Sequence, residues 1–137
     1  MAKNVGNITD TKKLAKGFSK KLKAGDVVFL YGNLGAGKTT FVQCILESWG
    51  HVGKVVSPTF VLEKRYKTKD IMFYHLDLYR IKSNDLRSLE FLNERDRFGV
   101  YLIEWPEIIE DIIKPDYKVY LEIVEENLRN IKIDKNV

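Results

Sequence analysis

The run Gly32-Asn33-Leu34-Gly35-Ala36-Gly37-Lys38-Thr39 constrains this chain more than any other segment. It fits G-x-x-x-x-G-K-[ST] without exception, a pattern expected by chance in roughly one chain of this length in two hundred. Its flanks suit it. Asp26 to Tyr31 is a short apolar run that reads as a buried strand, and Thr39 to Trp49 reads as a helix closed by Gly50. Phe41, Val42, Ile45, Leu46 and Trp49 form that helix's apolar face. Glycines let the backbone curl with its N–H groups inward, a nest for phosphate oxygens. The helix start adds partial positive charge and free donors. Lys38 reaches β- and γ-phosphates, and the Thr39 hydroxyl suits Mg²⁺, which prefers oxygen ligands. A purine nucleoside triphosphate is therefore the expected ligand. Adenine is preferred, because no N-K-x-D-like guanine-reading segment is found.

The rest of the chain must complete such a unit within 137 residues, enough for one domain spanning 1–137. Hydrophobic residues at 45% and charged residues at 31% exclude collagen-like, low-complexity and wholly disordered classes. One cysteine, Cys44, and two histidines, His51 and His75, cannot assemble a tetrahedral Cys/His zinc site. With no secretory h-region and no apolar run near the ~20 residues of a membrane span, the reading is cytoplasmic. The net charge is +4, and residues 1–23 hold seven lysines against one aspartate. Six of those lysines lie on a predicted amphipathic helix capped by Thr9 or Asp10 and stopped by Gly25. Leu14, Ala15, Phe18 and Leu22 form its apolar face; Lys12, Lys16, Lys20 and Lys23 lie opposite. That face is either solvated or a dock for nucleic acid or an acidic partner.

Further along, Phe60 to Tyr66 and Ile71 to Tyr79 read as an antiparallel hairpin. Short helices are expected at Asn84 to Phe91 and Glu107 to Ile113, with a buried strand at Val100 to Ile103. Tyr117, Val119, Leu121 and Ile123 alternate with polar residues as a half-buried strand, and Arg129 to Ile133 pairs with it. The predicted fold class is α/β: a mixed sheet flanked by helices, with an antiparallel hairpin insertion and antiparallel C-terminal strands.

Hydrolysis of a triphosphate needs carboxylates near Mg²⁺ and a group that positions water. Glu104 ends the apolar run Val100-Tyr101-Leu102-Ile103, where an acid meets a bound metal. Asp77 is the second candidate. In an extended segment, period 2 puts His75, Asp77 and Tyr79 on one face and Leu76 and Leu78 on the other. Ser57-Pro58-Thr59-Phe60 reads as a stiffened turn offering the Thr59 hydroxyl to Mg²⁺ or the γ-phosphate. Trp105 either stacks near the site or packs in the core. Asp77 or Glu104 orients the water while Lys38 offsets phosphate charge; Arg80 is the nearest arginine.

In this order the L-G-A-G-K-T-T, S-P-T-F, H-x-D-L-Y-R and E-W motifs closely resemble the TsaE (YjeE) family, over nearly the whole chain. That resemblance implies a P-loop NTPase-like ATPase, slow in isolation, that supports threonylcarbamoyladenosine modification of tRNA beside TsaD and TsaB. It implies ATP contacts from Asn33, Leu34, Gly35, Ala36, Gly37, Lys38, Thr39 and Thr40, with Thr59 as a switch residue and Trp105 near the nucleotide or partner. Thr39 and Glu104, with Asp77, become the Mg²⁺ residues. Contact with tRNA is implied to be indirect, and no membrane is involved. Two other readings stay open: a small-molecule or nucleoside kinase, and a basic RNA-binding module.

Overall fold

An unbroken apolar run such as Val27-Val28-Phe29-Leu30 suits a strand covered on both faces, because successive side chains point to opposite sides. The computed structural model, which describes residues 2–58, 62–82, 85, 89–126 and 128–136, gives it that position. In chain order the elements are β1 (Ala2–Val5), α1 (Ile8–Ser19), β2 (Val27–Tyr31), α2 (Lys38–Ser48), β3 (Glu63–Lys67), β4 (Met72–Asp77), α3 (Glu90–Asn93), β5 (Val100–Glu104), β6 (Tyr117–Glu125) and β7 (Leu128–Lys135). The strands form one mixed sheet in the order β1-β7-β6-β2-β5-β4-β3. The four central strands β6, β2, β5 and β4 run parallel. The hairpin β3–β4, the pair β6–β7 and the edge pair β1–β7 are antiparallel.

Alternation along β2 divides the core. Val28 and Leu30 join Phe18, Phe41, Val42, Ile45 and Leu46 under α1 and α2. Val27 and Phe29 join Leu76, Leu78, Tyr101, Ile103 and Ile109 on the other face. The expected fold class is therefore the observed one. Cys44 is buried on the inner face of α2, and burial pushes its thiol up. Among the described residues no helix is long and apolar enough to cross a membrane.

Several local expectations change. The cap of α1 is Asn7, not Thr9 or Asp10: the Asn7 side chain accepts from Asp10 N at 2.9 Å, and Asp10 accepts from Gly6 N at 3.3 Å. This reciprocal arrangement starts the helix earlier than a lone aspartate would. Gly25 does not stop α1, which ends at Ser19, where the hydroxyl bonds the Lys16 carbonyl at 3.1 Å and competes with the helical ladder. Gly25, at φ +94°, instead turns the chain into β2. The helix expected over 84–91 is seen only as the short α3, and residues 84 and 86–88 lie outside the described set. The segment after Trp105 forms only a 3-10 turn, Pro106–Ile109. Strand β1 carries no alternation signal; pairing with β7 makes it a strand.

The turn between α1 and β2 buries a charge. Asp26 accepts from Lys23 N at 3.0 Å, and desolvation raises its carboxyl above the ordinary value. An acid whose folded value lies above its unfolded one costs stability as pH rises through that window. Asp26→Asn keeps an acceptor and removes the charge. Thermal unfolding across pH should show the variant a few degrees more stable at neutral pH, with the gain gone below the unfolded aspartate value.

Candidate functional site

The parallel strands β2, β5 and β4 end at the same edge of the sheet, where ligands gather in open α/β folds. Register aligns Leu30 with Glu104 and Glu104 with Asp77. The glycine loop leaves β2 at that edge and returns as α2. Gly32, Gly35 and Gly37 sit at φ +157°, +80° and +102°, a path closed to most side chains. A Cβ on Gly32 would meet the Leu121 carbonyl oxygen at 2.7 Å. No side chain caps α2, whose N-cap is Gly37, whereas Asn7 caps α1. The first amides of α2 are thereby left for an outside acceptor.

A cleft of about 520 Å³ opens there, lined by the loop from Leu34 to Thr40 and by Ser57, Asp77, Tyr79, Arg80, Glu104 and Trp105. The Thr39 hydroxyl donates to Glu104 Oε2 at 2.9 Å. The same oxygen lies 2.6 Å from His75 Nε2. His75 is fully buried, and among the described residues its Nδ1 has no hydrogen-bond partner. Asp77 is fixed through both oxygens: Ser57 Oγ donates at 2.7 Å and Tyr79 N–H at 3.0 Å. Thr39 and Glu104 are hard oxygen donors side by side at the anion seat. Among the described residues no three His, Cys, Asp or Glu side chains gather to hold a metal alone. This set suits Mg²⁺, which takes one or two carboxylates and completes its shell with phosphate oxygens and water.

Lys38 is buried, donates to the Gly32 carbonyl and lies 3.5 Å above the centre of the Trp105 ring. Desolvation lowers its ammonium below the ordinary lysine value, against the opposing fields of Glu104, Asp77 and Glu107. Trp105 sits in the left-handed region, φ 56°, with Tyr79 4.7 Å from its ring. Such backbone costs on the order of 1–2 kcal/mol and holds the indole over the loop.

Of the sequence-derived candidates, Lys38, Thr39, Asp77, Glu104 and Trp105 meet at this cleft, with Leu34 to Gly37 and Thr40. Asn33 does not line it; its carbonyl accepts from Ala36 N at 3.0 Å and closes the turn. Thr59 lies outside the described residues. The alternating face expected over His75 to Tyr79 holds only in part. Strand β4 ends at Asp77 and is covered on both sides, so His75 is interior and Tyr79 is half exposed.

Sequence reasoning passes over Ser57, which belongs to the Ser-Pro-Thr-Phe turn but is not singled out by it. It also misses a second hollow of about 210 Å³ beyond α2's start, lined by Asn7, Thr11, Thr40, Leu121 and Arg129 among others. It shares Ala36, Gly37 and Thr40 with the cleft. No local signal marks it, because its walls come from opposite ends of the chain.

Comparison with known proteins finds relatives that cover most of the chain. The family model described as threonylcarbamoyl adenosine biosynthesis protein TsaE matches residues 5–133. A tRNA threonylcarbamoyladenosine biosynthesis protein TsaE from Rickettsia felis is 42% identical over 135 residues, covering 96% of this chain and 78% of that one. Its namesake from Aquifex aeolicus is 39% identical over 127 residues, covering 90% and 88%. A crystal structure of Bacillus subtilis YdiB superposes with a TM-score of 0.82 at 30% identity, covering 98% of this chain and 84% of that one.

Burying the Lys38 ammonium costs the ligand-free chain stability. Lys38→Met should therefore melt at a higher temperature than the parent without nucleotide, yet lose the upward shift that Mg·ATP gives the parent. Differential scanning fluorimetry with and without Mg·ATP reads both effects.

Proposed function

The chain belongs to the TsaE family of threonylcarbamoyl adenosine biosynthesis proteins, and on that premise we propose that it is a Mg²⁺-dependent ATPase supporting this tRNA modification. The observation that carries the reading is the 2.9 Å bond from Thr39 to Glu104, which joins an uncapped helix start to an acid 65 residues away. The triphosphate lies along the loop from Leu34 to Thr40, with its charge facing the α2 amides and Lys38. To engage it, Lys38 leaves the Gly32 carbonyl and the Trp105 face. The base enters the hollow beside Asn7, Thr11 and Arg129, which adjoins the same three loop residues.

Thr39 and Glu104 are the residues that hold Mg²⁺. When bound, the ion neutralises β- and γ-phosphate oxygens and fixes their geometry. His75 keeps the Glu104 carboxylate turned toward Thr39 through its 2.6 Å contact. Asp77, clamped by Ser57 and the Tyr79 amide, orients the water for in-line attack on the γ-phosphate. The products are ADP and phosphate. Arg80 stands at the cleft wall, where it faces the developing charge.

Leu34 and Tyr79 at the cleft are 66% and 50% exposed, an apolar rim suited to a protein that closes the site. TsaD- and TsaB-like proteins are the partners this reading assigns to it, in the cytoplasm, with nucleotide state governing their association. The family assignment favours hydrolysis over transfer to a small acceptor.

Phosphate release from ATP, measured without any acceptor, tests the roles. Asp77→Asn should keep ATP affinity and lose about 100-fold in turnover. Glu104→Gln should weaken Mg²⁺-dependent ATP binding by about tenfold and lower turnover as well. Parental rates in both variants would remove the assignment.

A further inference from the structure

The edge of the sheet opposite the cleft is also built, and its chemistry is basic. Strands of five residues span about 17 Å, so the loops entering β2, β5 and β6 lie that far from the triphosphate seat. Backbone bonds stitch these loops together. Gly25 N bonds the Gly99 carbonyl at 2.8 Å, Tyr101 N the Asp26 carbonyl at 3.0 Å, and Asp116 N the Val27 carbonyl at 2.7 Å. The lysines of the chain's N-terminal segment thus join cations from far along the sequence. Lys20, Lys21 and Lys23 share this edge with Arg95, Arg97 and Lys114, and all six are exposed. None of the six forms an ion pair among the described residues.

Three aspartates here are engaged by hydrogen bonds. Asp26 accepts from Lys23 N, Asp116 from Val27 N at 2.8 Å, and Asp96 from the Tyr74 hydroxyl at 2.7 Å and from Phe98 N at 2.9 Å. Among the described residues, Glu94 is the one acid lining the cleft of about 600 Å³ that holds Arg95, Arg97 and Lys114. Next to Arg97 in the chain, Phe98 is 80% exposed, an aromatic ring in water on this edge.

We propose that this edge binds RNA, with backbone phosphates on the six cations and an unpaired base stacked on Phe98. Cations with an exposed ring are the means by which proteins hold single-stranded nucleic acid. An acidic protein surface would use the cations and leave the ring without a role. The proposal does not depend on ATP hydrolysis, since the two sites lie at opposite edges.

Fluorescence anisotropy of a labelled, unmodified tRNA transcript, titrated with the full chain without nucleotide, tests it. Affinity should fall with salt at a log–log slope of about −4 to −5, as six phosphate contacts require. The triple variant R95A/R97A/K114A should bind at least about tenfold more weakly with a shallower slope. Phe98→Ala should weaken binding about tenfold with the slope unchanged. Lys82→Ala, beyond the cleft end of β4, should bind like the parent, and unchanged melting temperatures confirm that all variants fold. Parental affinity in the triple variant, equal weakening by Lys82→Ala, or displacement of the tRNA by poly-L-glutamate at equal charge would each overturn it.

Discussion

A single oxygen, Glu104 Oε2, accepts from Thr39 at the start of α2 and meets His75 from the interior of β4. Three elements distant in sequence are tied at one point. Without it, the glycine loop would be an anion nest with nothing opposite, and β4 would carry a buried imidazole facing only carbon. Its cost is evident: a carboxylate 3% exposed must be hydrogen-bonded to be tolerated there. The parallel register of β2, β5 and β4 makes that possible by ending three strands at one level. The rest of the cleft then follows. Glu104 is succeeded at once by Trp105, whose left-handed turn swings the indole under Lys38.

Local chemistry makes much of this legible in the order of residues alone. A G-x-x-x-x-G-K-T run between an apolar strand and an amphipathic helix has few folds open to it, and the alternation in Tyr117 to Ile123 announces β6. Glu104 can be found because an acid ending an apolar run stands out. What stays hidden depends on distant partners. Strand β1 exists only through β7. The cap of α1 turns on a reciprocal pair, Asn7 with Asp10, rather than on either residue's preference. His75 reads as a polar wall residue because period 2 says which residues share a face, not which faces are covered. Ser57 and Arg129 carry no signal of their own; topology brings one to Asp77 and the other to the hollow beside Thr11.

The sheet also separates two kinds of charge. At one edge, carboxylates and backbone amides converge on a small anion and its counterion. At the other, lysines and arginines face water while Asp26, Asp96 and Asp116 are engaged by hydrogen bonds. The helical lysines, read alone, look like an ordinary solvated face. Only the stitching of residue 25 to residue 99 shows that they continue into a second basic segment.

The outermost strands bear on behaviour in concentrated solution. An open sheet ends in two rows of unsatisfied peptide groups, a template for adding further copies. Here one border, β1, is only four residues long. The other, β3, reads Glu63-Lys64-Arg65-Tyr66-Lys67, which puts four charged side chains on its five residues. A short border and a charged one both discourage further strands from adding to the sheet.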